Sequence, residues 1–272
     1  MRDLLLPLTR AYARPASFDY AAWLSAEFKA PLTALYVIQA FLGGPVFDSP
    51  AVISDAIEFL REQRRAAGEG SAAFGDWAQR RGLDGYRWQA VEAPYEKTVA
   101  AAADWHDLVV LEADEGNECA DVTTLGQLVL TCRRPCLVVR SAAVFAPPRR
   151  IALAWNGSAE CVRAVRSALD LLQRAEEVIV LGDVGLSRPR GCGSPPGGIT
   201  AYLESKDVPL SASRHRIDSD AAGESMARAA ADAGADLLVM GAYGHNRLSE
   251  WMLGGATRHL LQHSALPLFL QH

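Results

Sequence analysis

The stretch Asp236-Leu-Leu-Val-Met240 runs straight into the loop Gly241-Ala-Tyr-Gly244, and nine residues later the chain reads Gly254-Gly-Ala-Thr257. The unbroken apolar run predicts a buried strand of a parallel sheet. The two glycines of the loop lack a Cβ, so the chain can turn tightly and lie against a ligand there. Gly254 and Gly255 predict the start of the next helix, whose first N–H groups have no intrahelical partner. Together, the strand, the glycine turn and the helix start predict an anion-binding site.

Apolar runs and helical periodicities alternate through the whole C-terminal half. Five strands are predicted, at residues 151–155, 178–181, 210–217, 237–240 and 266–270. Helices are predicted after Ser158, whose hydroxyl can cap the first turn, at residues 199–205 and 221–233, and from the second glycine pair to residue 262. This alternation is typical of an α/β domain with a parallel sheet covered on both faces. Its ligand site is expected at the carboxyl ends of the strands, where the winding reverses.

The N-terminal half repeats this plan. Three pairs of segments match between the two halves. At the start of each half residues 3–9 match 150–156, further along residues 103–111 match 233–240, and at the end residues 134–139 match 266–270. The agreement of all three indicates a duplication. Residues 141–148, rich in small side chains and proline, are typical of a linker. We therefore predict two domains, residues 1–144 and 145–272, with a longer central helical region at residues 51–81.

Composition excludes several classes of function. The net charge of −5 gives no electrostatic basis for binding nucleic acid or an anionic membrane surface. No stretch reaches the roughly 18 consecutive apolar residues of a membrane span, so a cytosolic protein is expected. The five cysteines are odd in number, sparse, and follow no zinc-ligand spacing, so neither a disulfide framework nor a metal site is predicted from them.

The glycine spacing also carries a family resemblance. Gly241-x-x-Gly244, nine residues and then Gly254 resemble the nucleotide-binding signature of the universal stress protein family, and Ala152-Leu-Ala-Trp-Asn-Gly-Ser158 looks like the same family. The layout resembles a tandem universal stress protein in which the second half alone carries the signature. The resemblance implies two tandem domains, each a doubly wound five-stranded parallel sheet of order 3-2-1-4-5 with helices on both faces. It also implies ATP, accompanied by Mg²⁺, at the strand ends. The edge fifth strands would pair, here between the two halves, and a homodimer remains a further arrangement.

The resemblance implies a set of binding residues. Around the phosphates it places Gly241, Gly244, His245, Arg247, Gly254, Gly255, Ala256 and Thr257. Around the base and sugar it places Ala154, Asn156, Asp183 and Met240. Two positions depart from the family pattern. Gly255 stands where a serine or threonine usually follows the third glycine, and Asn156 replaces the usual acid, although its amide can still bond to hydroxyl groups.

The equivalent loop of the first half is acidic. Residues 112–121 carry five carboxylates and no basic side chain, and they lack the glycine spacing. Clustered carboxylates repel phosphate, especially beside low-dielectric walls. The first half is therefore predicted not to bind ATP.

Three functions remain open at this point. The first is a stress-response regulator or sensor that binds an adenine nucleotide in its C-terminal domain and acts on an unknown protein partner. The second is an interaction protein of the same fold that does not bind nucleotide, which Gly255 and Asn156 favour. The third is a slow ATPase. No Ser-His-Asp order, zinc signature or Walker-type lysine loop is present, so no catalytic residue and no metal ligand are predicted.

Overall fold

The structure is a computed structural model that describes residues 1–10, 16–39, 50–182, 198–213, 215, 217–218, 221–244 and 255–272. Its strands are β1 (Leu4–Leu8), β2 (Leu32–Ile38), β3 (Tyr86–Glu92), β4 (Leu108–Ala113), β5 (Cys136–Arg140), β6 (Arg150–Ala154), β7 (Glu177–Leu181), β8 (Leu237–Gly241) and β9 (Leu268–Gln271). Its helices are α1 (Ala16–Phe28), α2 (Pro50–Arg80), α3 (Tyr95–Ala103), α4 (Val122–Thr131), α5 (Ala159–Ser167), α6 (Leu169–Arg174), α7 (Gly198–Glu204), α8 (Ala222–Asp232) and α9 (Gly255–His263).

All nine of these strands form one sheet, in the order β3-β2-β1-β4-β5-β9-β8-β6-β7. Every neighbouring pair is parallel except β5 and β9. Strands β1 and β2 are buried along their whole length, because apolar side chains point to both covered faces. The prediction of an α/β fold with the order 3-2-1-4-5 is confirmed in the first half.

The second half has four of the five strands in this order and lacks a regular third strand among the described residues. Strands β9, β8, β6 and β7 correspond to the family's fifth, fourth, first and second strands. The prediction of a regular strand at residues 210–217 is wrong. Among the described residues of this segment, Leu210 and His215 make isolated parallel bridges to β7. Between them Ser211, Ala212 and Ser213 offer no apolar side chain large enough to bury, and only Leu210 and Ile217 at the ends of the segment pack against the core clusters.

The two halves join through β5 and β9. Leu137 pairs with Phe269 at the centre of this antiparallel contact, so the fifth strands of the halves meet as the family resemblance implied. Arg140 reinforces the join at one end, where its Nε donates to the carbonyl oxygen of Ser264 at 2.8 Å and its Nη2 donates to that of Gln262. The sheet is therefore continuous across the two halves.

Side chains also connect the halves on both faces of the sheet. On one face Phe145, in the predicted linker, packs edge-on against Tyr20 of α1 with ring centroids 4.8 Å apart. On the same face Arg174 of α6 donates from Nε to Glu27 at 3.1 Å and lies over the ring of Phe28. On the other face α4 and α9 are in contact. The exact domain boundary, between residues 144 and 145, stays a prediction.

The long central helix of the first half is confirmed. Helix α2 spans 31 residues, about 46 Å of helix axis. Its C-terminal part buries Phe74, Trp77 and Ala78 against Phe18 of α1. In the part of the chain that the structure describes, no helix combines the length and the apolarity that a membrane span requires.

The junction strand provides a stability test. Phe269 is fully buried where β5 meets β9, so Phe269→Ala should leave a cavity and lower the free energy of unfolding by about 3–5 kcal/mol. Urea denaturation measures the change. Trp105→Ala is the matched control, because Trp105 is 84% exposed and its removal should cost no more than about 0.5 kcal/mol. Equal effects of the two substitutions would contradict the burial of the junction.

Candidate functional site

The winding of the second half reverses between β6 and β8. Strand β6 lies between β7 and β8. Helix α5, which follows β6, packs into the hydrophobic cluster on one face of the sheet, and α9, which follows β8, packs into the cluster on the other face. Successive connections therefore leave in opposite directions and open a crevice at the carboxyl ends of the two strands. A crevice at such a switch point is where open α/β sheets bind their ligands.

Gly241 ends β8 against the start of α5. A Cβ on Gly241 would collide with the backbone nitrogen of Cys161 and the carbonyl carbon of Glu160. The sequence predicted that this glycine lets the chain lie against a ligand. The structure gives a different physical reason, because here the strand end lies against the backbone of a helix. Gly241 is therefore required for close packing of strand on helix.

Gly244 lies over the same helix start but is less confined. A Cβ there would stand 3.2 Å from Oε2 of Glu160 and 3.5 Å from Oγ of Ser158. Neither loop glycine has a positive φ. The left-handed residue of the loop is Tyr243, with φ of 56°, a conformation that bulky side chains rarely adopt.

Tyr243 and Thr257 hold the loop down, and the sequence predicted no role for Tyr243. Its hydroxyl group is buried without a hydrogen-bond partner among the described residues, and burial raises its pKa to about 12. Its backbone N–H donates to Oγ1 of Thr257 at 3.4 Å. His272 contacts the ring edge-on, and Nδ1 of His272 lies 3.1 Å from the carbonyl oxygen of Ala242. A tyrosine next to a glycine in a turn has no periodicity that would have revealed this packing.

The predicted phosphate side of the site includes the N-terminal end of α9 as the structure describes it. Gly255, its first described residue, is exposed, and a Cβ there would meet no atom of the described residues within 4 Å. Ala256 is half-buried behind it. Thr257 is buried, and its oxygen is occupied by the N–H of Tyr243, so its hydroxyl serves first to hold the loop on the helix. Its O–H group can still donate one bond.

The predicted base and sugar side is built from the ends of β6 and β8. Ala154 and Met240 are register partners, almost fully buried, and belong to the same hydrophobic cluster. Asn156 is exposed just beyond β6, and its Oδ1 accepts a bond from the backbone nitrogen of Ser158 at 2.9 Å. This leaves the amide NH₂ group of Asn156 for other acceptors. Ser158 caps α5 through Cys161 at 3.2 Å, as predicted.

A buried carboxylate that the sequence did not reveal underlies the loop. The side chain of Glu160, in the first turn of α5, is only 5% exposed, and its Oε1 accepts from Nη2 of Arg163 at 2.9 Å. Arg163 also donates from Nε to the carbonyl oxygen of His272 at 3.0 Å. A carboxylate is stable in a buried position only when it is paired. Acidic residues are common in the first turn of a helix, so the position alone gave no signal.

The structure thus brings together most of the predicted binding residues. Those gathered around the crevice are Ala154, Asn156, Met240, Gly241, Gly244, Gly255, Ala256 and Thr257. The other predicted residues, Asp183, His245, Arg247 and Gly254, lie outside the described residues. Their roles stay predictions.

The corresponding crevice of the first half is closed by its own side chains. Asp121 caps α4, and its Oδ1 accepts from the backbone nitrogen of Thr124 at 2.7 Å. Asn117 bridges to the end of β1, where its Nδ2 donates to Oγ1 of Thr9 at 2.7 Å. The helix end that would attract an anion is therefore already bonded to a carboxylate.

Basic side chains from outside the acidic loop offset part of its charge. Arg10, beyond β1, donates to Asp114 and to the carbonyl oxygen of Gly116, both at 3.3 Å. Arg140 lies 3.6 Å from Glu115. The loop itself has no base, as the sequence analysis found, but the fold supplies two. The electrostatic repulsion of a phosphate group is therefore weaker than the five carboxylates alone suggest.

Residues 148–271 match the model of the Universal stress protein family. This C-terminal half therefore belongs to the universal stress protein family. The match covers the strands, loops and helices that form the crevice of the C-terminal half. Among proteins with curated descriptions, no sequence matches this chain.

Solved structures extend the likeness in fold to the whole chain. A universal stress protein from Archaeoglobus fulgidus DSM 4304 superposes with a TM-score of 0.64 at 14% identity, over 99% of this chain and 95% of that chain. A functionally unknown protein from Pseudomonas aeruginosa PAO1 gives 0.57 at 14% identity, over 100% and 92%. A universal stress protein family protein from Arabidopsis thaliana with AMP bound aligns with 53% of this chain and 94% of its own, at 11% identity and a TM-score of 0.36.

The two glycines at the ends of the signature give opposite expectations for stability. Gly241→Ala forces a methyl group into the backbone of α5, so we expect a loss of about 1–3 kcal/mol in the free energy of unfolding. Gly255→Ala adds a methyl group in open space at a helix start, where alanine is the better helix former, so stability should be unchanged or rise by up to about 1 kcal/mol. Denaturant titration of both variants compares them directly. A stable Gly241→Ala protein would contradict the close packing of β8 on α5.

Glu112, at the end of β4, gives a test by pH. Burial, and then the charge of Asp114, raises the pKa of Glu112, while Arg10 lowers it. A raised folded-state pKa means that the stability linked to this proton is complete below the unfolded pKa and is lost as the pH rises through the folded value. Glu112→Gln removes that loss, so its melting temperature should exceed the wild type at about pH 7 and match it at about pH 4.

The expected gain at neutral pH is a few tenths of a kcal/mol to about 1 kcal/mol, since Glu112 is only partly buried. Glu118→Gln, which removes an exposed carboxylate of the same loop, is the control for the general effect of removing one negative charge. A Glu112→Gln protein that melts below the wild type at neutral pH would reverse the inferred sign.

Proposed function

We propose that the C-terminal half binds ATP in the crevice between β6 and β8, and that the protein acts as a stress-response regulator or sensor. The observation that carries this proposal is the exposed Gly255 of α9 at the switch point of the sheet, over which no atom of the described residues lies within 4 Å. The match of residues 148–271, which build this crevice, to the model of the Universal stress protein family supports it. The helix has nine residues, enough for its first amides and its dipole to attract a phosphate group.

The described residues offer the hydrogen-bonding groups and apolar side chains that an adenine nucleotide requires. The first N–H groups of α9 would hold phosphate oxygens, and the NH₂ group of Asn156 would meet a ribose hydroxyl. Ala154 and Met240 would provide the apolar floor. We expect Arg247 and His245 to add positive charge or donors beside the phosphates. Mg²⁺ would be carried by the phosphates and water, since the described residues include no group of three or more potential metal ligands.

The first half supports a stoichiometry of one nucleotide per chain. Its helix end is capped by Asp121, and the acidic loop is tied to the end of β1 through Asn117. A phosphate would have to displace the carboxylate of Asp121 to reach the same amides. We therefore assign the first half a structural role, in which it pairs with the second half and covers its edge strand.

A second candidate is an interaction protein of the same fold that binds no nucleotide. Two observations favour it. Gly255 provides no hydroxyl at the position after the third glycine, and the oxygen of Thr257 is occupied within the protein. Under this hypothesis the crevice is retained for packing, and its loop contacts a protein partner.

Mass spectrometry of the small molecules released from freshly purified protein distinguishes these functions. About one adenine nucleotide per chain, reproduced by calorimetric titration with ATP and Mg²⁺, is the expected result. Two per chain would contradict the closed state of the first half. No nucleotide together with a flat titration would select the interaction protein.

Gly255→Asp tests the placement of the phosphates without threatening the fold. The new carboxylate would occupy open space, and the dipole of α9 favours an acid in the first turn. The same carboxylate would repel a phosphate at these amides, so ATP affinity should fall by about tenfold to a hundredfold. Calorimetric titration and circular dichroism measure binding and folding separately.

Gly116→Asp is the matched control. It adds the same carboxylate to an exposed glycine in the corresponding loop of the first half, and its ATP affinity should equal that of the wild type. A Gly255→Asp protein that binds ATP as tightly as the wild type would refute the phosphate position.

A further inference from the structure

Two histidines lie side by side on the outer surface of α9. His259 and His263 are four residues apart, so one helical turn separates them and both project from the same face. Their ring centroids are 4.8 Å apart and the ring planes are tilted by 55°. His259 is half-buried and His263 is exposed. Neither ring belongs to the proposed nucleotide crevice.

The spacing of the rings matches that of two imidazoles on one metal ion. A metal–nitrogen bond of about 2.0–2.1 Å places the centre of an imidazole about 3.2 Å from the ion. For a nitrogen–metal–nitrogen angle of roughly 90–109°, the two ring centres then stand about 4.5–5.2 Å apart. The observed 4.8 Å lies in that interval.

Helix α8 confines the first of the two side chains. A Cβ on Gly223 would stand 2.7 Å from Cβ of His259 and 3.1 Å from Cα of Ala256. The missing side chain thus lets α8 approach α9 closely and support His259 from one side. Such support reduces the rotamer freedom that His259 loses when it binds a ligand.

We propose that His259 and His263 chelate a first-row divalent cation such as Zn²⁺, Ni²⁺ or Cu²⁺. Neutral imidazole nitrogens suit these ions and do not suit Mg²⁺ or Ca²⁺. Among the described residues no third side chain completes a cluster, so water fills the remaining positions and the ion is exchangeable. The site is independent of the proposed nucleotide site. The bound ion also links two successive turns of α9 and so stabilises that helix.

Titration of metal-free, nucleotide-free protein with Zn²⁺ and Ni²⁺ tests the site, with Mg²⁺ as the hard-cation comparison. We expect one Zn²⁺ or Ni²⁺ per chain in calorimetry and no response to Mg²⁺. His259→Gln and His263→Gln should each weaken binding by about tenfold or more, because one imidazole remains in each variant. Glutamine is a good helix former, and circular dichroism checks that α9 persists. His106→Gln, at a histidine of the other half, should bind as the wild type does.

A relocation variant separates geometry from histidine count. H263Q/A265H keeps six histidines in the chain, but moves one to an exposed position beyond the end of α9. This variant should bind as weakly as His263→Gln. Electron paramagnetic resonance of Cu²⁺ bound to the wild type should report two nitrogen ligands, and one nitrogen in each single variant. Absence of binding by the wild type, or unchanged binding by both single variants or by the relocation variant, would overturn the proposal.

Discussion

The pairing of β5 with β9 is the contact on which the rest of the molecule depends. Each half alone would end in an edge strand whose backbone N–H and C=O groups lacked partners on one side, which is costly when the strand is otherwise apolar and buried. Antiparallel pairing satisfies both edges at once. It also makes each hydrophobic layer continuous, since the core cluster on either face contains residues of both halves. The two domains therefore share a core as well as a sheet.

Within that shared sheet, the same switch point occurs twice with different surroundings. Both halves reverse their winding between the first and fourth strands of the family order. In the second half, no atom of the described residues lies over Gly255 of α9. In the first half, Asp121 caps α4 and Asn117 ties the loop to Thr9, each through a bond of 2.7 Å. Fold alone does not decide whether such a crevice binds a ligand, so the two sites have to be compared through their loops.

The sequence predicted the pattern of the fold well where local rules are strong. The buried apolar strands, the Ser158 cap and the long helix of the first half were all predictable, because periodicity and capping act over a few residues. The segment at residues 210–217 was mispredicted as a strand. It has β-compatible residues at its ends, but too little apolar side chain between them to enter the core.

The candidate site was predictable in its residue types and less so in their roles. The glycine spacing indicated the position of the crevice. The structural requirement for a glycine at position 241, however, comes from the backbone of α5, which lies 80 residues earlier in the chain. The sequence did not predict that Arg10 and Arg140 lie beside the acidic loop, because their contacts join distant segments of the chain. Tyr243 and the buried Glu160–Arg163 pair were likewise not predictable, since neither follows a local pattern.

The amino-acid sequence by itself determined the α/β class, the repeated plan, the family of the C-terminal half and the place of the glycine loop. These follow from hydrophobic periods and short spacings, which act along the chain. Only the tertiary structure decided which strands meet at the junction, which helix end a carboxylate caps, and which charges are paired. Those properties depend on the distance between atoms that are far apart in sequence, and packing alone sets that distance.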